Sequence, residues 1–115
     1  MVINPNVTNR LFFIFPFGIN KLPFMIKRLV ISGKVQGVGF RYWLQSAAIE
    51  KNIFGWVKNK ISGDVEVLIV GKEQEVEDLI KLCKQGSPSS KVDQVKVNEY
   101  KNSYLKKSFD IIKSD

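Results

Sequence analysis

The chain contains no histidine and only one cysteine, Cys83, in 115 residues. Without histidine there is no imidazole base, no serine–histidine–carboxylate triad and no cysteine/histidine zinc site. A single cysteine rules out an intramolecular disulfide, and a free thiol is compatible with a reducing compartment. Any chemistry must run on carboxylates, lysine, arginine, asparagine, hydroxyls or the backbone. Arginine is also scarce: Arg10, Arg28 and Arg41 stand among 18 basic residues, the rest lysine. No run approaches the ~20 apolar residues that a membrane-spanning helix needs. The most apolar stretch, Leu11-Phe12-Phe13-Ile14-Phe15-Pro16-Phe17, is short and broken by proline.

Acidic residues are absent from Met1–Phe24, and no helical or strand period links that stretch to the residues after it. Arg10 followed by Leu11–Ile19 has the outline of a signal peptide. The bulky Asn20-Lys21-Leu22-Pro23-Phe24 then offers no small-x-small cleavage site. Residues 1–24 are therefore expected to be an unstructured extension or an untranslated one, with the true start at Met25. Residues 25–115 are expected to form one small domain. The 44% hydrophobic and 25% charged composition suits a thin globular core. A formal charge of +7 favours anionic partners without choosing among phosphorylated metabolites, nucleic acid and acidic membranes.

Periodicity then orders the domain. Lys27–Val35 alternates in part and carries β-branched residues, which predicts a strand. Phe40, Leu44, Ala47 and Ala48 share one face of a helix over Phe40–Lys51, with Asn52 as its stop. Strands are expected at Ile53–Lys58 and Asp64–Val70, joined by a hairpin-type connection. Glu73–Gln85 predicts an amphipathic helix with Val76, Leu79, Ile80 and Cys83 inward. Its acidic residues come early and its lysines late, in line with the helix dipole. Lys91–Tyr100 alternates at Val92, Val95 and Val97 after a phase slip, and Phe109-Asp110-Ile111 reads as a short last strand. The order β-α-β-β-α-β gives two split βαβ units, an antiparallel sheet with both helices on one face. This is an α+β, ferredoxin-like sandwich, in which Cys83 is a buried structural thiol.

The chemistry-bearing run is Gly33-Lys34-Val35-Gln36-Gly37-Val38-Gly39-Phe40-Arg41, where the strand pattern gives way to the helical one. Glycines there let successive N–H groups point into one concavity, and the helix N-terminus adds its own partial positive charge. Arg41 supplies a planar, permanently charged fork. Together these parts suit a phosphate. Taken singly, each has a plainer reading: the glycines as a tight turn, Arg41 as a surface ion pair, and Asn59 as a turn former.

With Gly55-Trp56-Val57-Lys58-Asn59 and Gly63-Asp64-Val65-Glu66 coming next in order, the chain resembles the acylphosphatase family from Lys27 to about Ile112. That resemblance implies hydrolysis of the carboxyl–phosphate bond of small acyl phosphates, without metal or cofactor. It assigns Arg41 to grip the phosphoryl group and the amides of Gln36, Gly37, Val38, Gly39 and Phe40 to surround its oxygens. Asn59 is assigned to orient the attacking water. Phe40 and Trp56 are expected in the core and in shaping the loop, while Lys34 and Lys58 raise the local potential. A cytoplasmic monomer is expected, with neither nucleic acid nor membrane as partner.

Two rivals share parts of the pattern. An RNA-recognition sheet needs stacking aromatics on central strands, whereas Gly37-Val38-Gly39-Phe40-Arg41 has Val38 in the aromatic's place and lies in a turn. The same run also resembles the N-terminal part of large carbamoyltransferases of hydrogenase maturation. Those proteins continue into cysteine-rich zinc segments, and one cysteine cannot build them. A non-catalytic, phosphate-binding module of that kind is the alternative.

Overall fold

The computed structural model describes residues 24–115. Among the described residues seven elements succeed one another: β1 (Phe24–Lys34), α1 (Phe40–Glu50), β2 (Phe54–Asn59), β3 (Val65–Lys72), α2 (Glu73–Gln85), β4 (Lys91–Glu99) and β5 (Phe109–Ile111). The strands form one five-stranded sheet in the order β4-β1-β3-β2-β5. All pairings are antiparallel except β2 with β5, which is parallel. The expected α+β sandwich is the observed one. Except for Phe24, the first residue of β1, the expectation for residues 1–24 lies outside the described residues. Among the described residues no helix is long and apolar enough to cross a membrane.

Alternation decides which side chains meet the helices. Leu29 and Ile31 of β1, Val57 of β2, and Val65, Val67 and Ile69 of β3 pack with Phe40, Leu44 and Ala48 of α1 and with Val76, Leu79 and Cys83 of α2. Burial pushes the Cys83 thiol up to about 12, so it stays a neutral packing group. Asn52 takes a left-handed backbone (φ 58°) just past α1, the helix stop expected of it. The valine phase slip in β4 is a bulge: Ser32 faces Gln94 while Gly33 faces Val92, which leaves Asp93 as the extra residue. Gly33 is needed there, since a Cβ would stand 2.2 Å from the Lys91 carbonyl oxygen.

Trp56 departs from expectation. It is only half-buried and lies on the face opposite Val57, where Lys58 Nζ sits 5.5 Å from its ring centroid. Strand alternation outweighs its apolar bulk, and the core of β2 is Val57 alone with Ile53 just before it. Phe40, by contrast, is fully packed, its ring 5.2 Å from that of Trp43. A helical, buried Phe40 cannot offer a base-stacking face on a central strand.

Candidate active site

Val65, the first residue of the central strand β3, fixes the geography. It pairs with Ile31 of β1 on one side and with Asn59, the last residue of β2, on the other. The loop of residues 35–39 leaves β1 just beyond this level, so it arches over the sheet end where β2 stops. Gly37 (φ 73°) and Gly39 (φ 76°) both adopt left-handed backbone there. A Cβ at either would meet nothing within 4 Å, so conformation and not space calls for glycine. Val38 packs against the core, leaving its amide as its contribution to the loop.

The loop is tied down by Gln36. Its Nε2 donates to the carbonyl oxygens of Lys60 and Asp64, each at 2.8 Å. Those carbonyls belong to the β2–β3 hairpin, which closes on itself through Lys60 N to Asp64 O at 2.8 Å and Gly63 N to Lys60 O at 3.0 Å. One side chain thus locks the glycine loop to the turn just past Asn59. Residue type does not announce this strut, because it depends on two carbonyls more than twenty positions away.

The loop runs straight into α1. Gly39 occupies the N-cap position with no side chain to cap the helix, and the first turn carries no acidic residue. The first backbone amide of α1 to find a backbone partner is Trp43, which donates to Gly39 O at 3.1 Å. Among the described residues, the N–H groups of Gln36 through Tyr42 donate to no other protein group. Seven consecutive free donors at a helix N-terminus, next to left-handed glycines, are the arrangement that suits an anion. Arg41 lies on the first turn, partly exposed, and no carboxylate among the described residues lies within 4.0 Å of it. It is therefore not spent on a surface ion pair. At its middle α1 is held by Gln45 Nε2, which donates to Phe109 O of β5 at 2.9 Å.

Asn59 ends a strand and is not the turn residue its plainer reading allowed. Alternation puts its side chain on the same face as Val57, the helix face, where α1 packs on β2. Its Oδ1 is buried and accepts no hydrogen bond from the described residues. A buried unsatisfied acceptor costs on the order of 1–3 kcal/mol, so packing alone does not account for it.

On the opposite face the charges pair with one another. Glu66 is buried in its side chain (9% exposed) and meets Arg28, Lys58 Nζ at 3.8 Å and Lys60 Nζ at 3.3 Å. Burial pushes its carboxyl up, but the hydrogen bonds and charges of Arg28 and Lys60 outweigh that and hold it below 4.5. Lys58, expected to raise the potential at the site, is instead held on this far face. Lys34 is exposed beside the loop, at the last position of β1. Among the described residues no group of three Cys, Asp or Glu side chains is arranged to hold a metal ion.

A family model described as acylphosphatase matches residues 27–111, which include both the glycine loop and Asn59. The chain belongs to the acylphosphatase family. It is 44% identical over 72 residues to an acylphosphatase of Bacillus subtilis, covering 63% of this chain and 79% of that one. An acylphosphatase of Koribacter versatilis is 41% identical over 85 residues, covering 74% of this chain and 77% of that one. The crystal structure of the Bacillus subtilis acylphosphatase superposes with a TM-score of 0.72 at 39% identity, covering 76% of this chain and 97% of that one. A phosphate- and nucleotide-bound full-length HypF is similar at a TM-score of 0.74 and 32% identity. That likeness covers 84% of this chain but only 13% of the larger protein. Membership makes the chain an acylphosphatase-type hydrolase, with the ferredoxin-like fold of its relatives.

Proposed function

We propose that this enzyme hydrolyses the carboxyl–phosphate bond of small acyl phosphates to a carboxylate and inorganic phosphate, and that it does so without a metal. One observation carries the reading. Amides of the glycine loop and the bare start of α1 stand with Arg41, on the side of the sheet toward which Asn59 turns its buried oxygen, all of them without a partner among the described residues.

The chemistry fits those parts. Attack by water at phosphorus breaks the bond to the acyl oxygen, and the electron pair leaves on a carboxylate. That leaving group is stable enough to depart without protonation, so no acid is required of the protein. What remains is to place the water in line and to neutralise charge on the phosphoryl oxygens. Arg41 does the second as a bidentate fork, and the amides of Gln36–Phe40 surround the oxygens from below. Asn59 does the first: its Oδ1 accepts a hydrogen bond from the attacking water and fixes its lone pair toward phosphorus. The water's proton passes to a phosphate oxygen of the substrate, since no histidine or unpaired carboxylate of the loop is there to take it.

Hydrolysis of benzoyl phosphate in excess chelator tests this. The wild type turns over, and Arg41→Lys, which keeps the charge but loses the fork, falls about 10²-fold in kcat/KM. Phosphate binding without turnover by the purified wild type would favour the other reading, a non-catalytic phosphate-binding module. Full activity in Arg41→Lys would remove the bidentate role.

A further inference from the structure

Past β5 the chain does not leave the sheet. Ile112 N donates to Val57 O at 3.0 Å and Asp115 N donates to Asn59 O at 3.1 Å, so the segment runs beside β2 to its last residue. There the Asp115 carboxylate bridges two cations, with Oδ1 3.0 Å from Lys58 Nζ and Oδ2 2.6 Å from Lys60 Nζ. These lysines are the two neighbours of Asn59 in sequence. Both also reach Glu66 on the far face, at 3.8 Å and 3.3 Å.

We infer that Asp115 is a positioning residue for Asn59, holding the end of β2 so that the asparagine side chain stays aimed at the helix face. The inference rests on the proposed role of Asn59 in orienting water. The backbone of Asn59 is fixed by Val65 on one edge and by Asp115 on the other. Twisting the strand end to swing Asn59 aside would draw Lys58 and Lys60 away from two carboxylates at once. Each of these partly exposed pairs contributes little to global stability. Their effect is directional, and direction is what a water-holding amide depends on, since a displacement of about 1 Å can cost ~10²-fold in rate. Asp115 also lies beyond residues 27–111, the span the family model matches.

The test compares Asp115→Asn, Asp115→Glu and Asn59→Ala in the full chain, using benzoyl phosphate as substrate and inorganic phosphate as inhibitor. Asp115→Asn is expected to lower kcat about 5- to 10-fold, while KM and the phosphate inhibition constant stay within about 2-fold. Asp115→Glu restores most of the rate. In NMR spectra the Asn59 side-chain amide signals, assigned by their disappearance in Asn59→Ala, shift in Asp115→Asn, while the backbone amides of residues 36–42 hold their places. Wild-type kcat in Asp115→Asn, an equal loss in phosphate affinity, no recovery with glutamate, or unmoved Asn59 signals would each overturn the inference. Wild-type kcat in Asn59→Ala would instead remove the water-orienting role itself.

Discussion

The two helices pack on the same sheet face but are finished differently at their ends. α2 is electrostatically self-contained, with Glu73 and Glu75 in its first turn and Lys84 in its last. α1 has no acidic residue in its first turn and no basic residue in its last, and Arg41 adds positive charge where α2 has negative; neither helix has a side-chain cap. A helix selected only for stability would resemble α2, because acidic first-turn residues contribute roughly 0.3–1 kcal/mol each. α1 leaves that stabilisation unused, and its N-terminal donors have no protein partner among the described residues.

The largest break in that comparison is expected from Asn59→Ala. Its kcat falls about 10²-fold through loss of water placement, while the phosphate inhibition constant barely moves. Its urea midpoint does not fall, because the substitution removes a buried acceptor that has no partner among the described residues. Steady-state kinetics beside urea melts check both halves, and a destabilised Asn59→Ala would make the residue structural.

A smaller effect comes from exchanging the helices' charge patterns. Tyr42 is 67% exposed on the first turn of α1. Tyr42→Glu is expected to stabilise the fold by about 0.5 kcal/mol while raising KM several-fold. Glu75→Gln in α2 is expected to cost a few tenths of a kcal/mol and leave kinetics unchanged. Urea melts and KM values for both variants would show whether the asymmetry serves ligand binding.

Acid provides the mildest test. Hydrogen bonds from Lys60 and Lys58 lower the Asp115 carboxyl below 3.8, and the cations around Glu66, against the upward push of burial, hold it below 4.5. Groups depressed by folding stabilise fully above their unfolded values and lose that contribution as pH falls through the folded ones. Stability measured by urea is therefore expected to be flat near neutrality and to decline below about pH 4.5. Glu66→Gln should flatten that decline, and an unchanged acid limb in the variant would count against the network.

Much of this is readable from the sequence. α2 occupies Glu73–Gln85 as its periodicity predicts, and both motifs fall at the loop and strand end where their glycines and alternation put them. Other strand limits differ by a few residues, because strand ends are set by pairing partners that local pattern does not reveal. Trp56 misleads because its size argues for the core while its neighbour Val57 already occupies the inward position. The Gln36 strut and the Asp115 bridge are invisible in the sequence for a common reason. Both depend on which carbonyls and lysines the topology brings alongside, the latter only because residues 112–115 run parallel to β2.

We propose that the bare end of α1, with the glycine loop, holds a phosphoryl group. Titration with inorganic phosphate, monitored through backbone amide resonances, tests it most directly. Saturable shifts confined to residues 36–42 and the Arg41 side chain, with Glu73–Val76 at the start of α2 unmoved, are the predicted result. Shifts scattered over the lysine-rich surface, or equal at both helix N-termini, would contradict it.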